Sequence, residues 1–431
     1  MADVRHHTTV DGLDQYIPVR KSEILTALAE QGAFATDEHR GKYDRLSQTL
    51  TSICHYLYFD LLDRLRHDYY YFSPDVAQRA ACKRSTIEGC YDDLQRSLEA
   101  VLTGANFREL PHAELNEAHR QRSVLRVEIR APLEDFREVR LYGRGRHAEK
   151  FEVSDWFGLR RRVVEADVYD DVVLMVAAKS REEISSLREL RRLERRKIVP
   201  GSVLLKYFRN IANSDLKALF PNARVVLSNV DKLVIGIPAI AGGIPIALNL
   251  YASVTVLFLV IGFYLGLHGT VEDKDMKTAL AALAALAALG GFLLTQWVKY
   301  QRQSLKHQIE LTDNVYYRNI NNNAGVFDYI IGAAENQSAK EALLAYHFLA
   351  VAGVPPTADE LDGSIEAWLL KSFALDVDFK IERALATLER LGLLRHHGDR
   401  LGVLELDAAF AQLQHVWAEF LPARQQPVAA E

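Results

Sequence analysis

The chain has 431 residues, enough for two or three domains with cores of their own. Its 49% hydrophobic content and mean hydropathy of −0.08 exclude a polytopic transporter and leave most of the mass facing water. A net charge of −5 gives no compositional case for a polyanion partner, and Cys54, Cys82 and Cys90 lack the spacing of a zinc site or disulfide framework.

Residues 1–15 carry Asp3, Asp11 and Asp14 without an apolar run, unlike a secretory signal or an Arg-rich transit peptide. Residues 18–31 read as a short amphipathic helix with Ile24, Leu25 and Leu28 on one side. Leu46, Leu50, Ile53, Leu57, Leu61 and Leu65 recur at three- and four-residue steps and predict a longer helix. The aromatic run at 69–72 suggests ligand stacking, with packing between helices as the plainer reading. Ser73-Pro74 then reads as the cap and first turn of a helix carrying Ile87, Leu94, Leu98 and Val101.

From about residue 123 the period falls to two. Leu125, Val127 and Ile129 alternate with Arg126, Glu128 and Arg130, and strands are expected over 136–142, 151–157 and 168–178. Tyr142-Gly143-Arg144-Gly145 reads as a turn between two of them. A helical region (1–119) and a small, mostly antiparallel sheet domain (120–232) make the N-terminal part α+β. Residues 120–162 hold twelve Arg or Lys against seven Asp or Glu, densest at Arg160, Arg161 and Arg162. These three are a candidate contact for anionic lipid, with a solvated sheet face as the alternative. Residues 181–197, with seven basic and four acidic side chains, allow the same two readings. Asn213-Ser214-Asp215 is expected to cap a short helix ending at Pro221, and 223–236 reads as strand-like.

Residues 233–267 contain no charged side chain, and neither do residues 278–298. A hydrocarbon core of about 30 Å takes roughly 20 apolar residues as a helix. Pro238, Gly242-Gly243 and Pro245 divide the first stretch, so the expected spans are 245–267 and 278–298, a transmembrane hairpin within 233–299. Lys232 before it, Lys299, Arg302 and Lys306 after it, and the acidic connector (Glu272, Asp273, Asp275) place both soluble flanks in the cytoplasm. Gly262 and Gly266 have the spacing of a close helix contact, expected against Ala284 and Ala288, with self-association into a homo-oligomer as the alternative.

Linker helices are expected over 300–337. Three helices (339–351, 357–372, 378–391) and a hairpin turning near Gly398-Asp399 then describe a winged-helix-like domain over 338–422, with a disordered tail over 423–431. Thr357 and Glu360 form a capping box pattern. The third helix sets Lys380, Arg383 and Arg390 against Asp378, Glu382 and Glu389, which disfavours nucleic acid and suits a protein interface. No P-loop, GxSxG, HExxH or strand-borne GxGxxG appears, and His396-His397 lacks further ligands, so no catalytic, cofactor or metal residue is assigned.

Several phrases occur in an order resembling the transmembrane protein 143-like family, a family of unknown function. They are Tyr16-Ile17-Pro18-Val19-Arg20, the 69–75 run, Lys206-Tyr207-Phe208-Arg209-Asn210-Ile211 with Asp215-Leu216 and Phe220-Pro221, and Tyr316-Tyr317 with Asn322-Asn323-Ala324-Gly325-Val326. Lys340-Glu341-Ala342-Leu343-Leu344-Ala345-Tyr346, Leu361-Asp362 with Glu366 and Trp368-Leu369, and 388–393 continue the likeness. The resemblance implies a membrane protein and supplies no activity. The expected architecture is an α+β membrane-anchored protein of the bacterial cytoplasmic membrane with two spans and both termini cytoplasmic. Its partners would be the lipid bilayer and an unidentified protein. The expected function is a non-enzymatic interaction or scaffold role. The alternatives are an undetected enzyme on a lipid or membrane-proximal substrate and a membrane-tethered nucleic-acid binder.

Overall fold

Val172, Val173, Leu174, Met175 and Val176 are all buried. A continuous apolar run of this kind suits a strand covered on both faces, and it lies in the middle strand of a five-stranded antiparallel sheet. The structure is a computed structural model and describes residues 5–6, 8–9, 12–30, 36–75, 84–111, 128–155, 160–226, 258, 260–262, 265 and 273–420.

Three short strands, β1 (Arg5–His6), β2 (Thr8–Thr9) and β3 (Gly12–Leu13), precede α1 (Lys21–Glu30), α2 (Asp37–Tyr70) and α3 (Arg84–Gly104). β4 (Arg108–Glu109), β5 (Glu128–Arg130), β6 (Phe136–Asp155), β7 (Arg160–Ala178), α4 (Leu187–Arg195), β8 (Val203–Ala212) and β9 (Arg224–Val226) follow. Then come α5 (Asp273–Arg318), β10 (Asn319–Asn322), α6 (Gly325–Val351), α7 (Ala358–Phe373) and β11 (Leu375–Asp376). The described chain closes with α8 (Ile381–Arg390), β12 (Leu394–His397), β13 (Arg400–Val403) and α9 (Leu406–Phe420). The large sheet has the order β10-β8-β7-β6-β4.

Contacts group the chain into two units: 1–124 with 132–221 and 317–431, and 125–131 with 222–316. In the first unit the long helices α2 and α6 each serve two cores. Leu46, Leu50 and Ile53 of α2 and Ala342 to Tyr346 of α6 pack with α1, α7, α8 and α9. Leu65 and Tyr69 of α2 and Val326 to Ala334 of α6 pack with α3 and one face of the sheet. Thr36 caps α2 by accepting from the His39 N–H at 3.1 Å, and Asp37 and Glu38 sit in its first turn, where the helix dipole favours them. The capping box at Thr357 and Glu360 forms at the start of α7. The aromatic run packs as core: Tyr69 donates to the Val203 carbonyl at 2.8 Å, and its ring meets Phe327 at 5.2 Å.

In the second unit β5 pairs with β9, Ile129 opposite Val225. Its dominant element is α5, whose 46 residues extend about 69 Å at 1.5 Å each.

Three expectations need correction. First, among the described residues one helix, Ala279–Lys299 within α5, is long and apolar enough to cross a membrane, so a two-helix transmembrane hairpin is not shown. The expected connector is not a loop throughout: residues 273–277 are already helical. Asp273 and Asp275 suit a helix's first turns, and nothing between them and Thr278 breaks a helix. The expected span 245–267 falls almost entirely outside the described residues.

Second, residues 338–422 do not form a winged-helix domain apart from the rest. The boundary at 338 falls inside α6, and the helices beyond it share their core with Ile17, Ile24, Leu28, Leu46 and Leu50. Ala342 to Tyr346 are buried on every side, too apolar for a helix that must show one face to water.

Third, Tyr142-Gly143-Arg144-Gly145 is no turn. It lies mid-strand in β6, which pairs with β7 from Phe136 to Asp155. A Cβ on Gly143 would lie 2.8 Å from the Tyr169 ring, and one on Gly145 would lie 2.5 Å from the Asp170 carboxylate. The glycines clear space across the ladder instead of reversing the chain.

Candidate functional site

The strand register aligns three charges. Arg144 stands opposite Asp171, and Asp171 stands opposite Arg209 on the next strand. Arg144 donates through Nε at 2.9 Å and Nη2 at 2.6 Å to Oδ2 of Asp171, and through Nη1 to the Ala105 carbonyl at 2.9 Å. The guanidinium lies 4.3 Å from the Tyr16 ring centroid and 4.6 Å from that of Phe107. Arginine is the cation suited to such a place, because its planar fork can bond in plane and stack on both faces. Arg209 gives Nε to Oδ1 of Asp171 at 3.2 Å from a half-exposed position. Burial opposes the Arg144 charge, but Asp171 and the neighbouring tyrosines hold its pKa above the ordinary arginine value.

Tyr16 belongs to an extended strap, residues 14–20, that threads across this cluster. Asp14 secures one end: its Oδ2 accepts from the Gly145 N–H at 2.6 Å and the Arg146 N–H at 3.2 Å, and Oδ1 accepts from Tyr16 N–H at 3.1 Å. Burial raises the Asp14 pKa against the lowering effect of these bonds. Gly145 takes φ +70°, a conformation that favours glycine, and so turns its N–H to Asp14.

The other end is held by α6. Lys340 gives Nζ to the carbonyls of Ile17 at 2.7 Å and Val19 at 3.2 Å. Burial, aided by the Arg144 charge, lowers the Lys340 pKa from 10.5 to about 7. A neutral amine keeps two N–H donors, so the bonds to the strap survive the loss of charge. Glu341 accepts through Oε1 from Arg383 Nη2 at 2.8 Å, Asn106 Nδ2 at 3.1 Å and Gln337 Nε2 at 3.3 Å. Asn106 also donates to the Gln15 carbonyl at 2.7 Å. Burial raises the Glu341 pKa and Arg383 opposes it.

The chemistry of this cluster is retention. Its carboxylates accept from two or three donors each, and its cations are spent on carbonyls and carboxylates. The sequence reading missed Asp14, Tyr16, Asn106, Arg144, Asp171, Lys340, Glu341 and Arg383. The signals were Asp170-Asp171 inside the apolar run 168–178 and Lys340-Glu341 ahead of an apolar helix segment.

A cavity of about 380 Å³ lies elsewhere in the first unit, lined among others by Lys42, Tyr43, Tyr346, His347, Leu404 and Asp407. Lys42 pairs with Asp407 at 2.9 Å along its wall, and burial holds the His347 pKa down at about 4. Among the described residues no three His, Cys, Asp or Glu side chains gather as a metal site.

The residues singled out from the sequence are scattered. Arg160, Arg161 and Arg162 open β7 opposite Asp155, Ser154 and Val153, and their side chains lie outside those described. Gly262 lies in a short helical stretch, Gly266 lies outside the described residues, and Ala284 and Ala288 are exposed. In the C-terminal segment Lys380 pairs with Asp378 at 3.1 Å and Arg383 turns inward to Glu341.

The model of a protein family of unknown function (DUF3754) matches residues 169–325, from the middle of β7 to the start of α6. No solved structure matches the chain.

Proposed function

We propose that the protein is a membrane-anchored, non-enzymatic interaction protein, held by Ala279–Lys299 and presenting its first unit to a protein partner. The observation that carries the reading is the exposure of this helix. Its 21 residues measure about 32 Å, the thickness of a bilayer core, and only 6% of its 18-residue apolar stretch is buried. Leu280, Leu283, Leu293, Leu294 and Trp297 are each more than half exposed. A core helix of a water-soluble protein hides such a face, and lipid is the solvent that rewards exposing it. Lys299 and Arg302 follow the apolar run, and the positive-inside rule assigns that end of the helix to the cytoplasmic side. The cluster around Arg144, whose carboxylates are each held by two or three donors, supports a structural role for the buried charges rather than turnover.

Alkaline carbonate washing of membranes from expressing cells tests the reading. The intact chain is expected to stay with the membrane, and Leu286→Arg with Ala288→Arg to release it, since each arginine near the helix centre costs roughly 2.5–3.5 kcal/mol on insertion. Complete extraction of the intact chain by carbonate would contradict it.

A further inference from the structure

Residues 187–197 hold six basic side chains against two acidic ones. Ser186 caps α4 by accepting from the Glu189 N–H at 3.2 Å, and Leu193 buries the inner face. Glu189 is drawn away to Lys179 at 3.0 Å, so it does not neutralise the outer face. Arg188, Arg191 and Arg195 follow one another at steps of three and four, which places them on one side of the helix, and all three are exposed. Leu187, 74% exposed, stands at one end of this stripe, and Val199, 42% exposed, lies beyond the other.

We infer that α4 docks on the anionic phospholipid headgroups of the membrane surface, with Arg188, Arg191 and Arg195 meeting phosphates and Leu187 entering the interface. The inference rests on the membrane reading above and adds the surface and the lipid class to it. Charge complementarity selects the occupant: the cytoplasmic leaflet is negative, and basic residues gain from lying near it. The exposed apolar side chains select lipid over nucleic acid. A phosphodiester backbone offers Leu187 nothing, whereas an interfacial helix places arginines at headgroup level and its apolar side chains just beneath. Arg160, Arg161 and Arg162, the candidates singled out from the sequence, are not needed for this contact.

The test uses the full chain with its native cysteines replaced by alanine and a polarity-sensitive fluorophore on Val199→Cys. It is reconstituted into phosphatidylcholine vesicles with and without phosphatidylglycerol. The expected result is flotation with both vesicles and a blue shift only with phosphatidylglycerol. High salt or Arg188→Gln, Arg191→Gln and Arg195→Gln together should abolish the shift, as surface affinity falls about a hundredfold at roughly 1 kcal/mol per residue. Flotation with both vesicles but the same emission in each would overturn the α4 contact and leave the anchor standing. Flotation with phosphatidylglycerol alone, lost in the triple variant, would keep the contact and remove the anchor. An equal shift with duplex DNA in place of vesicles would overturn the lipid assignment.

Discussion

Arg144 and Asp171 face each other across neighbouring strands, with the Tyr16 ring 4.3 Å from the guanidinium and both partners only 6% exposed. The pair ties the sheet to the strap that precedes α1, and the strap in turn is bound to α6 through Lys340. Removing one member of a buried pair leaves the other uncompensated, at about 3–5 kcal/mol. Asp171→Asn is therefore expected to lower the unfolding free energy by about 3 kcal/mol in denaturant titrations. A loss below about 1 kcal/mol would mean that water relieves Arg144.

Lys340 makes stability depend on pH. Its pKa is about 7 when folded and 10.5 when unfolded, so between these values the unfolded chain binds a proton that the folded chain does not. Stability from this group therefore rises as pH climbs from about 7 towards 10.5, and is lowest below 7. Subtracting the pH profile of Lys340→Met from that of the natural chain should isolate this rise. Parallel profiles would place the folded pKa of Lys340 at its ordinary value.

Gly145 and Gly363 should respond oppositely to alanine. At Gly145 the φ of +70° and the Asp170 carboxylate 2.5 Å from a new Cβ predict a loss of at least about 2 kcal/mol. At Gly363, inside α7, nothing lies within 4 Å of a new Cβ, and helix propensity predicts a gain of about 0.5–1 kcal/mol. Thermal melting of the two variants checks both signs.

The segment 338–422 expressed alone is expected to lack a cooperative unfolding transition, because its core needs Ile24, Leu28, Leu46 and Leu50. The full chain should bind duplex DNA no better than about 100 μM at physiological salt, with Arg383 turned inward to Glu341. A sharp melt of this fragment would show that α1 and α2 are dispensable to it.

Local chemistry in this chain was legible and long-range assembly was not. The repeats Leu46-Leu50-Ile53 and the Thr357 and Glu360 cap depend on neighbours in sequence, and both appear as helix features. Gly143 and Gly145 resemble turn residues, yet their purpose is set by Tyr169 and Asp170 on another strand. Residues 338–422 carry a recognisable order of helices and hairpin, but amphipathic spacing does not say that the apolar face meets α1 and α2 from the far end of the chain. The cluster itself joins Asp14, Asn106, Arg144, Asp171 and Lys340, each ordinary in its own stretch.

The anchoring helix is the central claim, and depth in the bilayer measures it most directly. Spin labels on single cysteines at Leu280, Ala284, Ala288 and Trp297, in the chain reconstituted into vesicles, report access to oxygen and to a water-soluble relaxant. The account predicts that oxygen access peaks and relaxant access vanishes at Ala288, with both trends reversing towards Leu280 and Trp297. Relaxant access at Ala288 as high as at Leu280 would place the helix in water and contradict the account.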